Sequence, residues 1–420
     1  MDVQEQLSLL RRRIARIDRK YAGKPAQVAP PPRFDSRPAR YFVEDLITGQ
    51  VADTAYGAHF ETEKLYERHR RHGSMDLSNL IELPEDLLES LSGVGMYRCH
   101  PTRWAFLDTE TTGLAGGAGT YAFLVGIGGI DEAGFRIRQF FMRDLRDEAS
   151  LLHAVAEHLA RFDVLVTYNG KAYDQPLLEG RYRLARLHSP FARLEHLDLL
   201  FGARRLWKLR LESCRLIDLE NRILGVERQG DLPGEMIPYH YFDYLHSKQA
   251  FRLVPIFHHN ATDILSLACL TAVAPFAFRK PEEAALAHGA DCIGLARWLI
   301  QDERFEESLR LLRRGVDLGL PDSLLFRTLW DIAMIEKKLG RAEAALAVFA
   351  DLAVSPNPCR VQALEEMAKH YERNERNCAA ALEMTRKALA LVDSPALRKR
   401  EERLKARLAR PRNRRASPSG

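Results

Sequence analysis

Phe106-Leu107-Asp108-Thr109-Glu110-Thr111-Thr112-Gly113 places two carboxylates two residues apart where an apolar run gives out. Trp104 to Asp108 reads as a short, nearly all-apolar strand, and side chains two apart leave a strand on the same face. Asp108 and Glu110 would then point into one cleft and repel each other unless a positive charge sat between them. A divalent metal ion is the usual solution.

Downstream, the pattern from Trp104 to about Phe278 is alternating α/β. Ala122 to Ile130 and Phe135 to Phe141 read as two strands joined by the turn Asp131-Glu132-Ala133-Gly134, an antiparallel hairpin. Asp147 to Phe162 has Leu151, Leu152, Val155 and Leu159 on one helical face. Val164 to Tyr168 is a buried strand, Tyr173 to Leu187 a helix, and His196 to Leu199 another short strand. The glycines of Gly126-Ile127-Gly128-Gly129 fall inside a strand and predict a bulge.

Two further segments carry ionisable groups at telling places. In Tyr168-Asn169-Gly170-Lys171-Ala172-Tyr173-Asp174, a strand ends, Asn169-Gly170 turns the chain, and Asp174 enters a helix. Taken alone, Asp174 is as well explained as a helix-start residue that satisfies free N–H groups. In Phe257-His258-His259-Asn260-Ala261-Thr262-Asp263, His259 and Asp263 are four apart and share a helix face. Taken alone, that pair is a common helix-stabilising contact.

Together, the three segments resemble the motifs of the DEDD exonucleases, the DnaQ-like branch of the ribonuclease H-like superfamily. Thr112 to Ala122, His196-Leu197-Asp198-Leu199-Leu200 and Ser213-Cys214-Arg215-Leu216 narrow the likeness to the YprB-like family of predicted bacterial exonucleases, some with carboxy-terminal tetratricopeptide repeats. The resemblance covers roughly Tyr41 to Phe278. It implies a five-stranded mixed sheet with flanking helices and two divalent cations, Mg²⁺ or Mn²⁺, held by Asp108, Glu110, Asp174 and Asp263. Oxygen-only ligation suits hard cations. A histidine would take the proton from the attacking water. Histidine-type members place it five residues before the last Asp, which selects His258. Tyrosine-type members place their Tyr four before it, which selects His259, and the Asn260 that follows favours His259.

Asp198, at a strand end on the same sheet edge as Asp108, reads either as support for the metal shell or as structural. Arg204, Arg205, Trp207, Lys208 and Arg210 follow it. Cations with an aromatic suit a backbone-tracking groove with a stacked base, and an amphipathic helix with Leu206, Leu209 and Leu211 inward explains them equally. Thr111, Asn169 and Lys171 join Arg204, Arg205 and Trp207 as candidate nucleic-acid contacts. Gly113, Gly116, Gly117 and Gly119 lack the Lys-Ser or Lys-Thr of a phosphate-binding loop and instead suit a turn that lets the substrate backbone approach.

The remaining chain sets boundaries. Leu7 to Tyr21 has helical spacing and Pro25 to Pro38 a linker composition, which gives an amino-terminal helix and linker over 1–40 and an accessory segment without chemical motif over 41–100. The nuclease-like domain spans 101–280. Beyond it, Arg304-Phe305-Glu306-Glu307-Ser308-Leu309, Arg341-Ala342-Glu343-Ala344-Ala345-Leu346 and Asn377-Cys378-Ala379-Ala380-Ala381-Leu382 recur at about 36 residues, near the roughly 34 of tetratricopeptide repeats. These give TPR-like helical repeats over 281–395, with a protein partner, and a basic disordered tail over 396–420.

With 420 residues, 46% hydrophobic and 28% charged, the chain can build two or three cores without disulfides. Six scattered cysteines lack zinc-site spacing and read as reduced thiols, which with no signal-peptide pattern and no apolar run of membrane length places the protein in the cytoplasm. Net charge is +5, gathered in clusters that suit a polyanionic partner. The expectation is a metal-dependent 3′→5′ exonuclease acting on DNA or RNA. The alternatives are a catalytically silent nucleic-acid-binding protein and a repeat adaptor.

Overall fold

The strand that carries Asp108 and Glu110 is the pivot of the sheet. In the computed structural model, which describes residues 41–85, 87–88, 99–113, 119–228 and 230–409 together with Arg12, nine strands form. These are β1 (Gln50–Thr54), β2 (Gly57–Glu67), β3 (Arg71–His72), β4 (Met75–Asp76), β5 (Trp104–Thr111), β6 (Ala122–Asp131), β7 (Gly134–Phe141), β8 (Val164–Thr167) and β9 (Glu195–Asp198). Seven of them make one mixed sheet in the order β1-β2-β7-β6-β5-β8-β9. On one side of β5 the neighbours are antiparallel hairpins, and on the other β8 and β9 run parallel to it. β5 therefore sits where the strand order changes character, the place at which open α/β sheets leave a crevice beyond the strand ends.

The predicted β6–β7 hairpin forms, with Asp131 paired to Gly134 and its Oδ1 accepting from the N–H groups of Ala133 and Gly134. The sheet has seven strands rather than five, because the supposed accessory segment adds β1 and β2 to its edge. Alternation along β2 explains the fit. Phe60 faces one side and packs edge-on against Phe257, while buried His59 and Glu61 face the other. There His59 is hydrogen-bonded to Ser150 and to Glu61.

Helices cover both faces. Ser150 belongs to α1 (Glu148–Leu159); next come α2 (Asp174–Leu184), α3 (Leu199–Trp207) and α4 (Ile237–Ser247). The opposite face is crossed by α5 (Val254–Arg279). The α5 stretch is apolar and long enough to cross a membrane by composition, contrary to the expectation that no such run exists, yet 83% of its most apolar window is buried within the protein. Burial against β5, β6 and β7 accounts for that composition as a core helix.

No bulge forms at Gly126–Gly129, where β6 pairs regularly with both neighbours. The register shift lies instead between Glu110 and Thr111. The glycines have another cause. A Cβ on Gly126 would stand 2.1 Å from Asn260 Oδ1 and 2.4 Å from Ile264 Cδ1, and one on Gly128 would stand 2.6 Å from Ile264 Cγ2. They let α5 lie directly on the sheet.

The chain resolves into two compact units, 1–204 with 213–279, and 205–212 with 280–420. The second is all helical: α6 (Gly289–Gln301), α7 (Phe305–Asp317), α8 (Asp322–Lys338), α9 (Ala342–Val354), α10 (Arg360–Arg373), α11 (Cys378–Leu389) and α12 (Pro395–Ala409). Three hairpins repeat one turn. Glu303, Gly340 and Arg376 adopt positive φ of 59°, 77° and 55°, and each next residue caps the second helix of its hairpin. The small residues aligned in sequence, Ser308, Ala345 and Ala381, are all buried four residues past that cap. Residues 396–409, expected to be a disordered tail, form most of α12, because Leu397 and Leu404 are buried and the buried Glu372 carboxylate pairs with Arg400, Arg403 and Arg407. The expected amino-terminal helix, the Pro-rich linker, Gly116, Gly117 and the last residues of the tail lie outside the described residues.

Candidate active site

Asp108 and Glu110 reach the C-terminal end of β5 on the face covered by α5. A row of the sheet runs Thr62, Gln139, Gly126, Asp108, and Asn260 of α5 settles on it. Asn260, fully buried, donates through Nδ2 to Asp108 Oδ2 at 2.8 Å and to the Asp108 carbonyl at 3.2 Å. Its Oδ1 accepts from Gln139 Nε2 at 2.8 Å, and the same amide donates to the Phe257 carbonyl. Every polar atom that Gly126 makes room for is thereby used to fix one carboxylate. Full burial of Asn260 also removes the Asn260-Ala261-Thr262 glycosylation match as an accessible site.

Asp174 begins α2 after the turn at Asn169, which takes the left-handed conformation at φ 66°. That turn is tied down by Asp198, 4% exposed, whose carboxylate accepts from the backbone N–H groups of Asn169 at 2.8 Å, Lys171 at 3.1 Å and Leu200 at 3.1 Å. Asp198 is thus a structural anchor. Thr109 donates its hydroxyl to Asp174, and the neighbouring Tyr173 ring is 61% exposed.

The carboxylates feel one another. Burial, then Asp263 and Asp174, push Asp108 well above the usual carboxylate range. Burial, then Asp108, Asp263 and Asp174, do the same to Glu110. Burial raises Asp174 to about 6, with Thr109 opposing it. Three elements distant in sequence therefore deliver Asp108, Glu110, Asp174 and Asp263 to one region of unbalanced negative charge.

The loop before α4 supplies what sequence reasoning missed. Arg228, with a side chain 8% exposed, donates through Nε to Glu220 Oε2 at 2.6 Å, through Nη1 to Asp231 at 3.0 Å, and through Nη2 to both Glu220 and Asp263. Burial would lower its pKa, but Glu220 and Asp263 outweigh that and hold the guanidinium above its ordinary value. His259 donates from Nδ1 to Asp231 Oδ1 at 2.9 Å, and its Nε2 lies 3.7 Å from Asp263 Oδ2. His258 is exposed, and burial of its ring, then nearby Lys64, lower its pKa. The only sequence signal for these partners is an Arg and an Asp three residues apart in a loop.

The remaining predicted contacts separate. Thr111 is half-buried and donates to the Gly113 carbonyl, and Lys171 and Arg204 are exposed. Trp207 is 2% exposed and offers no face to a base, while Arg205 lies over the Trp298 ring of the helical unit. The inward-facing alternative for this segment is the one observed, since Leu206 is also fully buried.

An oxygen-only donor set of four carboxylates, three of them with raised pKa, fits a hard divalent cation. Among the described residues no three His, Cys, Asp or Glu side chains converge on a common point. Asp108, Asp174 and Asp263 are drawn instead to Asn260, Thr109 and Arg228.

A family model described as RNase_H superfamily matches residues 105–274, from the start of β5 through most of α5. A protein of Bacillus subtilis (strain 168) named "Uncharacterized protein YprB" is 32% identical over 355 residues, covering 82% of this chain and 83% of that protein. The chain belongs to the YprB-like group of the ribonuclease H superfamily. Members of that superfamily are nucleases, and the fold implies a nucleic-acid substrate. The model's boundaries enclose all four carboxylates, both histidines and the Arg228 loop.

Proposed function

We propose that the protein is a metal-dependent nuclease of the 3′→5′ exonuclease class, hydrolysing phosphodiester bonds of DNA or RNA. The observation that carries this reading is the gathering of Asp108, Glu110, Asp174 and Asp263, whose burial and mutual repulsion favour a bound cation. These four would hold two Mg²⁺ or Mn²⁺ ions, which supply charge stabilisation to the attacking and leaving oxygens. His259 is the proton acceptor. Its Nδ1–H is committed to Asp231, which leaves the Nε2 lone pair on the side of Asp263. Asn260 keeps Asp108 in one orientation, and Asp198 keeps the Asn169–Lys171 turn beside Asp174. Tyr173 takes the base-stacking role expected of Trp207.

The test is degradation of end-labelled single-stranded and duplex DNA and RNA with Mg²⁺ or Mn²⁺, and then with chelator. Asp108→Ala and Glu110→Ala should abolish the activity. His259→Ala should lose rate while retaining metal, and His258→Ala should stay close to wild type. Absence of degradation on every substrate, or its persistence in both carboxylate variants, would overturn the reading.

A further inference from the structure

The four carboxylates are not equally compensated. Asp263 already has a cation, the Arg228 guanidinium. That guanidinium is not a mobile surface group, because Glu220, with a fully buried side chain, holds it through two hydrogen bonds and Asp231 through a third. Asp108 and Glu110 have no such partner in the structure. Asp108 is held by an amide, and Glu110, 9% exposed, faces Asp108, Asp263 and Asp174.

The loop that carries Arg228 is braced from the far side. Ser74, in the β3–β4 turn, donates its N–H to the Leu224 carbonyl at 2.7 Å, and a Cβ on Gly73 would stand 2.1 Å from that same carbonyl oxygen. His72 of that hairpin is hydrogen-bonded to Ser266, three residues beyond Asp263 on α5. The segment between Glu220 and Asp231 is therefore clamped between the small hairpin and α5, and Arg228 reaches Asp263 from a fixed base.

We propose that Arg228 is a resident counter-ion of Asp263 that divides the metal site into a strong and a weak half, an inference that rests on the metal-dependent reading above. A cation engaging Asp108, Glu110 and Asp174 meets uncompensated charge. A cation engaging Asp263 has to share that carboxylate with a guanidinium in contact with it, or displace it from Glu220 and Asp231. Arg228 is a positioning residue here, acting on the affinity of Asp263 for the ion and not on the substrate.

The experiment titrates the full chain with Mn²⁺ alone, followed by calorimetry and by the electron paramagnetic resonance signal of free Mn²⁺, without nucleic acid. Wild type should show one tighter and one weaker equivalent. Arg228→Gln alone would leave Glu220 buried and unpaired, so the informative variant is Glu220→Gln with Arg228→Gln, which replaces the ion pair by two amides of similar size. It should tighten the weaker equivalent at least tenfold and leave the tighter one within threefold. Arg228→Lys, which keeps the charge but loses the two-pronged hold on Glu220, should tighten it by a smaller factor and serves if the double variant does not fold. Two equal equivalents in wild type, or unchanged titrations in both variants, would overturn the role of Arg228 while leaving the nuclease reading standing. Absence of Mn²⁺ binding in wild type, matched by Asp108→Asn, would overturn both.

Discussion

Gly126→Ala adds one methyl group at the contact on which the active-site geometry depends. Its Cβ would stand 2.1 Å from Asn260 Oδ1, about 1.3 Å inside the 3.4 Å at which ordinary contact begins, and 2.4 Å from Ile264 Cδ1. Asn260 cannot swing away without giving up Asp108 and Gln139, so α5 has to lift from the sheet. Overpacking of this kind costs about 1–3 kcal/mol, and losing a hydrogen bond to a carboxylate adds about 1.5–3 kcal/mol. The expected destabilisation is about 3–5 kcal/mol for the sheet unit. Hydrogen exchange on the amides of Ala122–Asp131 and Val254–Arg279 reads that unit apart from the helical one. Nuclease rate should fall with it, since Asp108 loses its orienting partner. Combining Gly126→Ala with Asn260→Ala vacates part of the clash, so the pair should be less destabilised than the sum by at least about 1 kcal/mol. A Gly126→Ala protein with exchange stability within about 0.5 kcal/mol of wild type and full activity would refute the argument that the glycine exists to seat Asn260.

Tyr173→Ala should weaken oligonucleotide binding in chelator by roughly 5- to 150-fold, the equivalent of about 1–3 kcal/mol for one stacked base, whereas Trp207→Phe should leave anisotropy titrations unchanged. Equal loss in both would return the stacking role to Trp207. Gly340→Ala should lower the stability of the helical unit by about 1 kcal/mol, and Arg376→Gly should raise it by a similar amount, because both sit at positive φ in the repeated turn; urea midpoints moving the other way would refute the assignment. His158 is 7% exposed and accepts from Arg161, and burial, then Arg161, lower its pKa to about 3. Above pH 6.5 the ring is neutral folded and unfolded, so it adds no pH dependence. As pH falls from 6.5 toward 3, the unfolded chain takes up a proton that the folded one refuses, and stability drops. By pH 4.5 that loss approaches about 2–3 kcal/mol. The stability of His158→Phe relative to wild type should rise by that amount between pH 7 and 4.5, and a pH-independent difference would overturn it.

Much of the site was legible because it is local. The two-residue spacing of Asp108 and Glu110, the four-residue spacing of His259 and Asp263, the Asn169-Gly170 turn and the small residues of the helical hairpins each declare themselves within one element, through periods that backbone geometry imposes. Trp207 misled because an amphipathic helix with basic residues has the same composition whether its aromatic faces solvent or core. The glycines of β6 misled for a related reason: a missing Cβ is visible in the sequence, but the neighbour that requires it is not.

By itself, then, the sequence determined the strand-borne carboxylate pair, the order of α and β elements, the helical repeats and the family likeness that joins Asp174 and Asp263 to the pair. The tertiary structure decided the rest: that residues 50–67 extend the sheet, that Asn260 lies over Gly126 and holds Asp108, that Asp231 turns His259 rather than His258 toward Asp263, and that Arg228 stands against that same carboxylate. These contacts join residues 28 to 152 positions apart. Contacts at that range follow from how helices and loops lie on the sheet, and they impose no period on the chain that carries them.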